Sequence, residues 1–389
     1  MTTTKKSPCS NSLAALTGAA LALPAIAQLA HAETAPNRSE FGYRYSQYQE
    51  DDVATSKVLV GDNERYEVDN HQFRLVAPIN RQLAVSVEAA YETMSGASAY
   101  GTAQTPDGDT ALIMSGASID DNRTDLLATL AHYRDDGKTS ASVGYSREKD
   151  FEALNAGVER EQMSADRLTT YSGGIGFSLD EIEPEQEDGI NRVLAEDKWS
   201  VNGFVAIANV LSPVWQVQGG LFAALHDGFL SDPYKARDIR PDERQAWGFT
   251  ARSRYFLKPV NAALHADYRF FSDDWGIEAH TVELAWHQTL SNHLRVVPQL
   301  RYYSQSQADF YVDSDDPANT GYQSSDYRLS PFGALTYGLS VILQQADYRI
   351  TLHGEQYESD GNLALKNVDV ENPALVSFTL LTVGIDFQF

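Results

Sequence analysis

Five histidines, His265, His280, His287, His293 and His353, are the first residues whose chemistry needs a decision. Imidazole nitrogens bind metals, but the intervals between these five match no common zinc pattern. A Ser/His hydrolase needs the two side chains within hydrogen-bond reach and a third group that orients the base. The sequence holds no G-x-S-x-G and no local constellation of that kind, so no catalytic residue is assigned and no enzyme is expected. Asp313-Ser314-Asp315-Asp316 has the look of a calcium loop. It lacks the next acidic ligand and the correctly placed glycine, and Pro317 intervenes. Weak Ca²⁺ or Mg²⁺ binding there and on the acidic stretch 180–188 is the most cofactor chemistry the chain offers; no cofactor is expected.

The other reactive groups are charges set in alternating segments. Arg252 and Arg254 share one face, opposite Trp247, Phe249, Ala251 and Tyr255. His265, Asp267 and Arg269 lie opposite Leu264, Ala266, Tyr268 and Phe270. Thr281, Glu283 and His287 oppose Val282, Leu284 and Trp286, and Arg295, Gln299 and Arg301 oppose Leu294, Val296 and Leu300. Arg349, His353 and Glu355 face away from Tyr348, Ile350 and Leu352. A period of two is the period of a strand, because successive Cβ atoms point to opposite faces. Two uses fit such a ladder of Arg252, Arg254, Asp267, Arg269, Glu283, Arg295, Arg301 and Arg349. It neutralises and solvates a wet interior, or it sets a transverse field that selects ions.

The elements that hold these groups must be strands of one kind or another. Lys5 and Lys6, an apolar run from Leu13 to Leu29 and Ala30-His31-Ala32 form a basic, then apolar, then small-residue series. That series reads as a secretory signal peptide cut after Ala32, leaving 33–389 as a single domain. The cut removes Cys9, the only cysteine, so no disulfide or thiol site is expected. Loss of the two lysines moves the formal charge from −24 to −26, which makes nucleic acid a poor partner. No later apolar run has the length of a transmembrane helix. A chain with 20 Tyr, 16 Phe and 5 Trp favours strands and aromatic girdles.

Taken in order, alternation marks strands from Phe41 onward, including Leu83–Tyr91, 198–210, 214–226, 244–257, 262–272, 277–290, 293–305, 326–340, 346–358 and 374–389. The stretch 150–179 permits one strand or two. Short turns at 78–81, 135–138, 211–214, 258–261 and 291–293 should share one side, with long polar loops on the other. Only two strands, 151–163 and 167–179, keep that parity. The count is then sixteen, an even number of the kind a single-chain outer-membrane barrel requires. Facing the ladder arginines to lipid would cost roughly 2–4 kcal/mol each at mid-depth, so they are expected in the lumen.

Two further stretches bear on function. Met94-Ser95-Gly96-Ala97-Ser98 returns as Met114-Ser115-Gly116-Ala117-Ser118, at the two feet of one loop. Ser95, Gly96, Ser98, Ser115, Gly116 and Ser118 permit close packing, so the loop either folds inward and narrows a pore or is a surface excursion. The last strand places Leu381, Val383, Ile385, Phe387 and Phe389 on one face and Thr382, Gly384, Asp386 and Gln388 on the other. Its apolar set should face lipid and lipopolysaccharide, with Asp386 and Gln388 in the lumen near the periplasmic mouth. Phe387 and Phe389 form a candidate signal for the barrel assembly machinery.

Several motifs are shared with a known family. They include Glu92-Thr93-Met94-Ser95-Gly96-Ala97-Ser98, Asp121-Asn122-Arg123-Thr124-Asp125, Phe229-Leu230-Ser231-Asp232-Pro233-Tyr234-Lys235, Asp267-Tyr268-Arg269-Phe270-Phe271, Trp275-Gly276-Ile277-Glu278-Ala279-His280-Thr281, Arg301-Tyr302-Tyr303-Ser304-Gln305-Ser306 and Asp326-Tyr327-Arg328-Leu329-Ser330. By these the chain resembles the bacterial domain-of-unknown-function family 3570 (DUF3570) over nearly its whole length after residue 32. The resemblance implies a secreted or outer-membrane β protein of Gram-negative bacteria and brings no catalytic residues with it. The expectation is an all-β transmembrane antiparallel barrel of about sixteen strands. Its leading role is a porin-like channel or small-solute pore with a charged lumen. A plugged structural or docking barrel comes second and an outer-membrane hydrolase third.

Overall fold

The computed structural model describes residues 35–389 apart from 116–118, 187–191 and 236, so the expected signal peptide lies outside the described residues. The first half of the chain gives β1 (Glu40–Glu50), β2 (Val58–Val60), β3 (Glu67–Pro78), β4 (Leu83–Gly96), β5 (Ala99–Gln104), β6 (Thr110–Met114), β7 (Ile119–Arg134), β8 (Gly137–Arg147), β9 (Phe151–Met163) and β10 (Thr169–Ile182). The second gives β11 (Glu196–Ser212), β12 (Trp215–Gly228), β13 (Glu243–Leu257), β14 (Ala262–Asp273), β15 (Glu278–Thr289), β16 (Leu294–Gln305), β17 (Phe332–Gln344), β18 (Tyr348–Asp360) and β19 (Ser377–Gln388). Sixteen of these close into one antiparallel barrel, and β2, β6 and β5 form a separate small sheet. With strands ~4.8 Å apart and tilted ~40°, sixteen of them enclose a backbone tube on the order of 16 Å in radius, wide enough for an aqueous interior.

The ring closes between its first and last strands. β1 pairs with β19 from Glu40↔Gln388 to Glu50↔Phe378. Ser39 and Phe389 extend the seam by two backbone hydrogen bonds, 2.9 and 3.0 Å. Beneath it, Arg349 donates to Asp386 at 2.8 and 2.9 Å, and Arg44 lies 3.6 Å from the same carboxylate.

One face of the barrel strands is apolar and, on most of them, exposed. Phe73, Val87, Leu130, Val158, Ile175, Val205, Leu221, Phe249, Leu284, Leu339, Leu352 and Val383 form a continuous belt. Trp215, Tyr255, Tyr348 and Phe387 stand at its short-turn edge, and Tyr91, Tyr145 and Trp247 at the other. That is the girdled exterior of a barrel made for a bilayer. The alternate residues face inward. Short periplasmic turns at one end and longer extracellular loops at the other complete the pattern. The 258–261 turn ends on Asn261 at φ 51°, a left-handed conformation that asparagine tolerates better than most residues.

β9 and β10 are separate strands, as parity required, joined through Arg167 at φ 58°. Several expected boundaries need correction. The strand placed at 326–340 starts at Phe332, because Tyr327–Leu329 is a 3-10 turn whose preceding Asp326 side chain accepts from the Arg328 amide. Buried Leu329 mimics a strand's apolar position although it sits in a loop. The last strand starts at Ser377, with Ala374 buried among loops instead. The loop between the two Met-Ser-Gly-Ala-Ser copies holds the β5–β6 hairpin. The acidic stretch from 180 opens inside β10, where Asp180 pairs with Lys198 at 3.1 Å.

Candidate functional site

The ladder residues stand on the inner wall of β13 to β19, and the structure splits them into paired and unpaired groups. Arg254 binds Asp267 with both guanidinium nitrogens, the second at 2.7 Å. Arg301 donates to Glu283 at 2.9 Å, and Arg349 is held by Asp386. Arg269 lies over the Phe222 ring, 4.8 Å from its centroid. Among the described residues, Arg252, Arg269 and Arg295 make no ion pair, and Arg252 keeps a buried Nη1 without a hydrogen-bond partner. The lumen wall is open to solvent at mid-height: the paired Arg301 and Glu283 side chains are 42% and 31% exposed.

The five histidines do not gather. His265 and His287 meet from adjacent strands, ring centroids 3.8 Å apart and planes tilted by 33°. His280 meets the Tyr268 hydroxyl, and His293 the Gln344 carbonyl in a turn. Among the described residues, no group of three potential metal ligands includes a histidine.

His353 has a different setting. Its Nδ1 is 2.9 Å from Ser340 Oγ, and its Nε2 is 3.3 Å from Glu355. This serine–base–carboxylate series was missed in the sequence because it carries no motif. The signal was the 345–347 turn, which sets β17 against β18 so that Ser340 pairs with His353. The neighbouring strand amides belong to the sheet ladders, so a ready oxyanion donor would have to be a side chain.

The extracellular mouth carries the least anticipated feature. The loops 97–118, 229–242 and 306–331 leave the ring six, four and six strands apart, yet all three meet. Lys235 Nζ donates to the Ala99 carbonyl at 2.9 Å, and Thr102 Oγ1 to the Asp313 carbonyl at 2.9 Å. Roots six strands apart on such a ring are separated by about 30 Å, so loops that touch must cross the opening. We call this crossing layer the roof.

Its core is ionic. Asp326 is fully buried and accepts from Arg328 and, at 2.8 Å, from Arg240. Arg240 also holds Asp238, and Arg328 reaches Asp232 at 3.0 Å. Burial alone would raise the Asp326 carboxyl, but the Arg328, Lys235 and Arg240 charges outweigh it and hold it well below the usual carboxylate range. Asp232, Asp238 and Asp326 lie close enough together to suggest a cation site, but Arg240 and Arg328 already engage all three carboxylates. Removing one member of such a buried set costs on the order of 3–5 kcal/mol, because its partner is left charged and dry.

An apolar patch completes the roof. Val53, Ala97, Leu112, Met114 and Ala374 pack together from three loops, with Tyr327 against them. The two feet of the β5–β6 hairpin are tied by Ser98 and Ser115, amide to hydroxyl at 3.1 Å and amide to carbonyl at 3.0 Å. Gly96 is needed at its foot: φ is +121°, and a Cβ would fall 2.2 Å from the Arg65 carbonyl oxygen. Ser95 pairs with Asp120 in the β4–β7 ladder. Gly116 and Ser118 lie outside the described residues. The calcium-like stretch is absorbed here too, with Asp315 accepting from the Thr102 amide and Asp316 from Ala318. Of the other acidic stretch, Glu187 and Asp188 lie outside the described residues.

A closed sixteen-strand antiparallel ring with an apolar, aromatic-girdled exterior and a charged interior is the fold of an outer-membrane β-barrel. The chain belongs to the family described as "Protein of unknown function (DUF3570)", whose sequence pattern matches residues 13–371. No curated protein matches it in sequence. Among solved structures it is similar to CdiB from Acinetobacter baumannii, at 7% identity and a TM-score of 0.52, over 90% of this chain and 60% of that one. It is also similar to the siderophore receptor PirA from Acinetobacter baumannii, at 10% identity and 0.45, over 85% of this chain and 54% of that one. The translocator domain of autotransporter NalP from Neisseria meningitidis matches at 11% identity and 0.38, over 97% of this chain and 96% of that domain. The chain thus spans less than two thirds of CdiB and PirA. At these identities the likeness concerns fold alone.

Proposed function

We propose that this barrel is a gated channel for small hydrophilic solutes in the outer membrane of a Gram-negative bacterium. On this reading residues 1–32 are its cleaved signal peptide. The observation that carries the proposal is the pairing of a hydrated, charged mid-lumen with a roof of interlocked loops. Solvent exposure of the Arg301–Glu283 pair argues for an interior that solutes can enter. The roof supplies the closed position of a gate, with the hairpin between Ser98 and Ser115 as its constricting element. The apolar belt contacts lipid and lipopolysaccharide, and β19 with Phe387 and Phe389 addresses the assembly machinery.

Liposome swelling with purified protein tests the channel. Native protein should pass small sugars slowly, and a variant lacking 99–113 should pass them several-fold faster. If neither folded protein passes any small solute, the channel fails and a docking barrel takes its place.

A second reading, hydrolysis, is favoured by Ser340, His353 and Glu355 alone. Labelling of Ser340 by a fluorophosphonate, lost in His353→Ala, would support it. A native protein that takes up no label would remove it.

A further inference from the structure

We infer that the lumen wall of β12 to β14 is a binding site for a phosphate group, built from Arg252, Arg269 and Gln218. On the lumen face of β13 to β16, six arginines (Arg244, Arg252, Arg254, Arg269, Arg295, Arg301) confront three carboxylates (Asp267, Asp273, Glu283). Over the whole chain, 54 acids outweigh 30 bases. The local balance is therefore the reverse of the global one, and it points to an anion.

Register locates the site within this wall. Arg252 stands directly across from Asp267, its natural partner. Asp267 is instead engaged by Arg254, one diagonal step away. On the other diagonal is Arg269, which pairs with Thr250 in the ladder and stacks on Phe222. Two arginines thus occupy diagonal positions, ~7–8 Å apart at the backbone, and the carboxylate that adjoins both, Asp267, is bonded to Arg254 instead. Like charges so placed repel, and a shared anion turns that repulsion into attraction.

The opposite strand supplies a second, independent sign. Gln218 pairs with Arg252 across β12 and β13 and is only 5% exposed. Its Oε1 is buried without a hydrogen-bond partner, and so is Arg252 Nη1. A buried acceptor and a buried donor side by side, not bonded to each other, call for a third group that donates to one and accepts from the other.

Hydrogen phosphate fits this demand. Its bare oxygens accept from Arg252 and from exposed Arg269, and its P–OH donates to Gln218 Oε1. Sulfate has the same shape and charge class but no hydroxyl. The site should therefore prefer phosphate to sulfate, and the preference should depend on Gln218.

The inference rests on the lumen being hydrated, as the channel reading holds, but not on conduction. It is tested by calorimetric titration of inorganic phosphate into the full-length mature barrel in detergent at low ionic strength. Saturable binding is expected, weakened about tenfold or more by Arg252→Gln or Arg269→Gln, the scale of losing one charge-assisted hydrogen bond. Gln218→Leu should keep anion binding but abolish the preference for phosphate over sulfate. Arg81→Gln, in an exposed turn, should change nothing. A glycerol phosphate arm separates free phosphate from its monoesters. Without phosphate, Arg269→Gln should raise the melting temperature, since it relieves repulsion. Absence of saturable binding, or equal binding by native protein and both arginine variants, overturns the site. Failure of liposome swelling alone leaves it standing.

Discussion

A single carboxyl group shows how the roof's surroundings respond to protons. Glu148 sits in the turn between β8 and β9, beside Asp121, Arg123 and Asp150. Burial pushes its carboxyl up to about 8; Arg123, 3.7 Å away, pulls the other way, and Asp150 and Asp121 add to the rise. The folded protein therefore holds this proton more tightly than the unfolded chain does. Stability from that preference is fully present below the ordinary carboxyl value near 4.5 and is lost as pH rises toward 8. The native barrel should melt progressively lower between pH 5 and 8, by an amount equivalent to roughly a few kcal/mol at most, and Glu148→Gln should flatten that decline. An unchanged slope in the variant would show that other groups set it. At this scale the sequence was legible in part. The inward charges of β13 to β16 follow from alternation alone. Which arginine takes which acid does not, because Arg254 and Arg252 compete for Asp267 and side-chain geometry settles the contest.

At the scale of elements, β19 combines two roles that one substitution can separate. Its backbone closes the ring through Ser39 and Phe389, and its outward ring carries the proposed assembly signal. Deleting Phe389 removes the ring and the two hydrogen bonds that extend the seam, whereas Phe389→Ala removes only the ring. The alanine variant should lower the folded, heat-modifiable fraction in cells several-fold and refold in detergent like the native protein. Equal loss in both settings would locate the defect in the seam instead. Strands such as β4, β13 and β19 were readable because each alternates over more than two periods between defined turns. The β5–β6 hairpin was not. Its two segments are short, Leu112 and Met114 give β6 only one period of alternation, and its stability comes from contacts with Tyr327, Asp313 and Lys235, all distant in sequence.

For the molecule as a whole, parity of loop lengths gave the strand number and the inside-outside assignment, since both follow from local rules applied sixteen times. The roof stayed hidden because it is a property of the closed ring. Loops rooted far apart become neighbours only after β1 meets β19, so no stretch of sequence contains the information by itself. The same closure also has a consequence in time. β1 waits for β19, and until β19 is made β1 has no second partner. Any sheet that forms before β1 and β19 pair has two bare edges, each a template for aggregation. On the proposed route to an outer membrane, survival of the unclosed chain is therefore a kinetic matter, set by how soon its two ends meet.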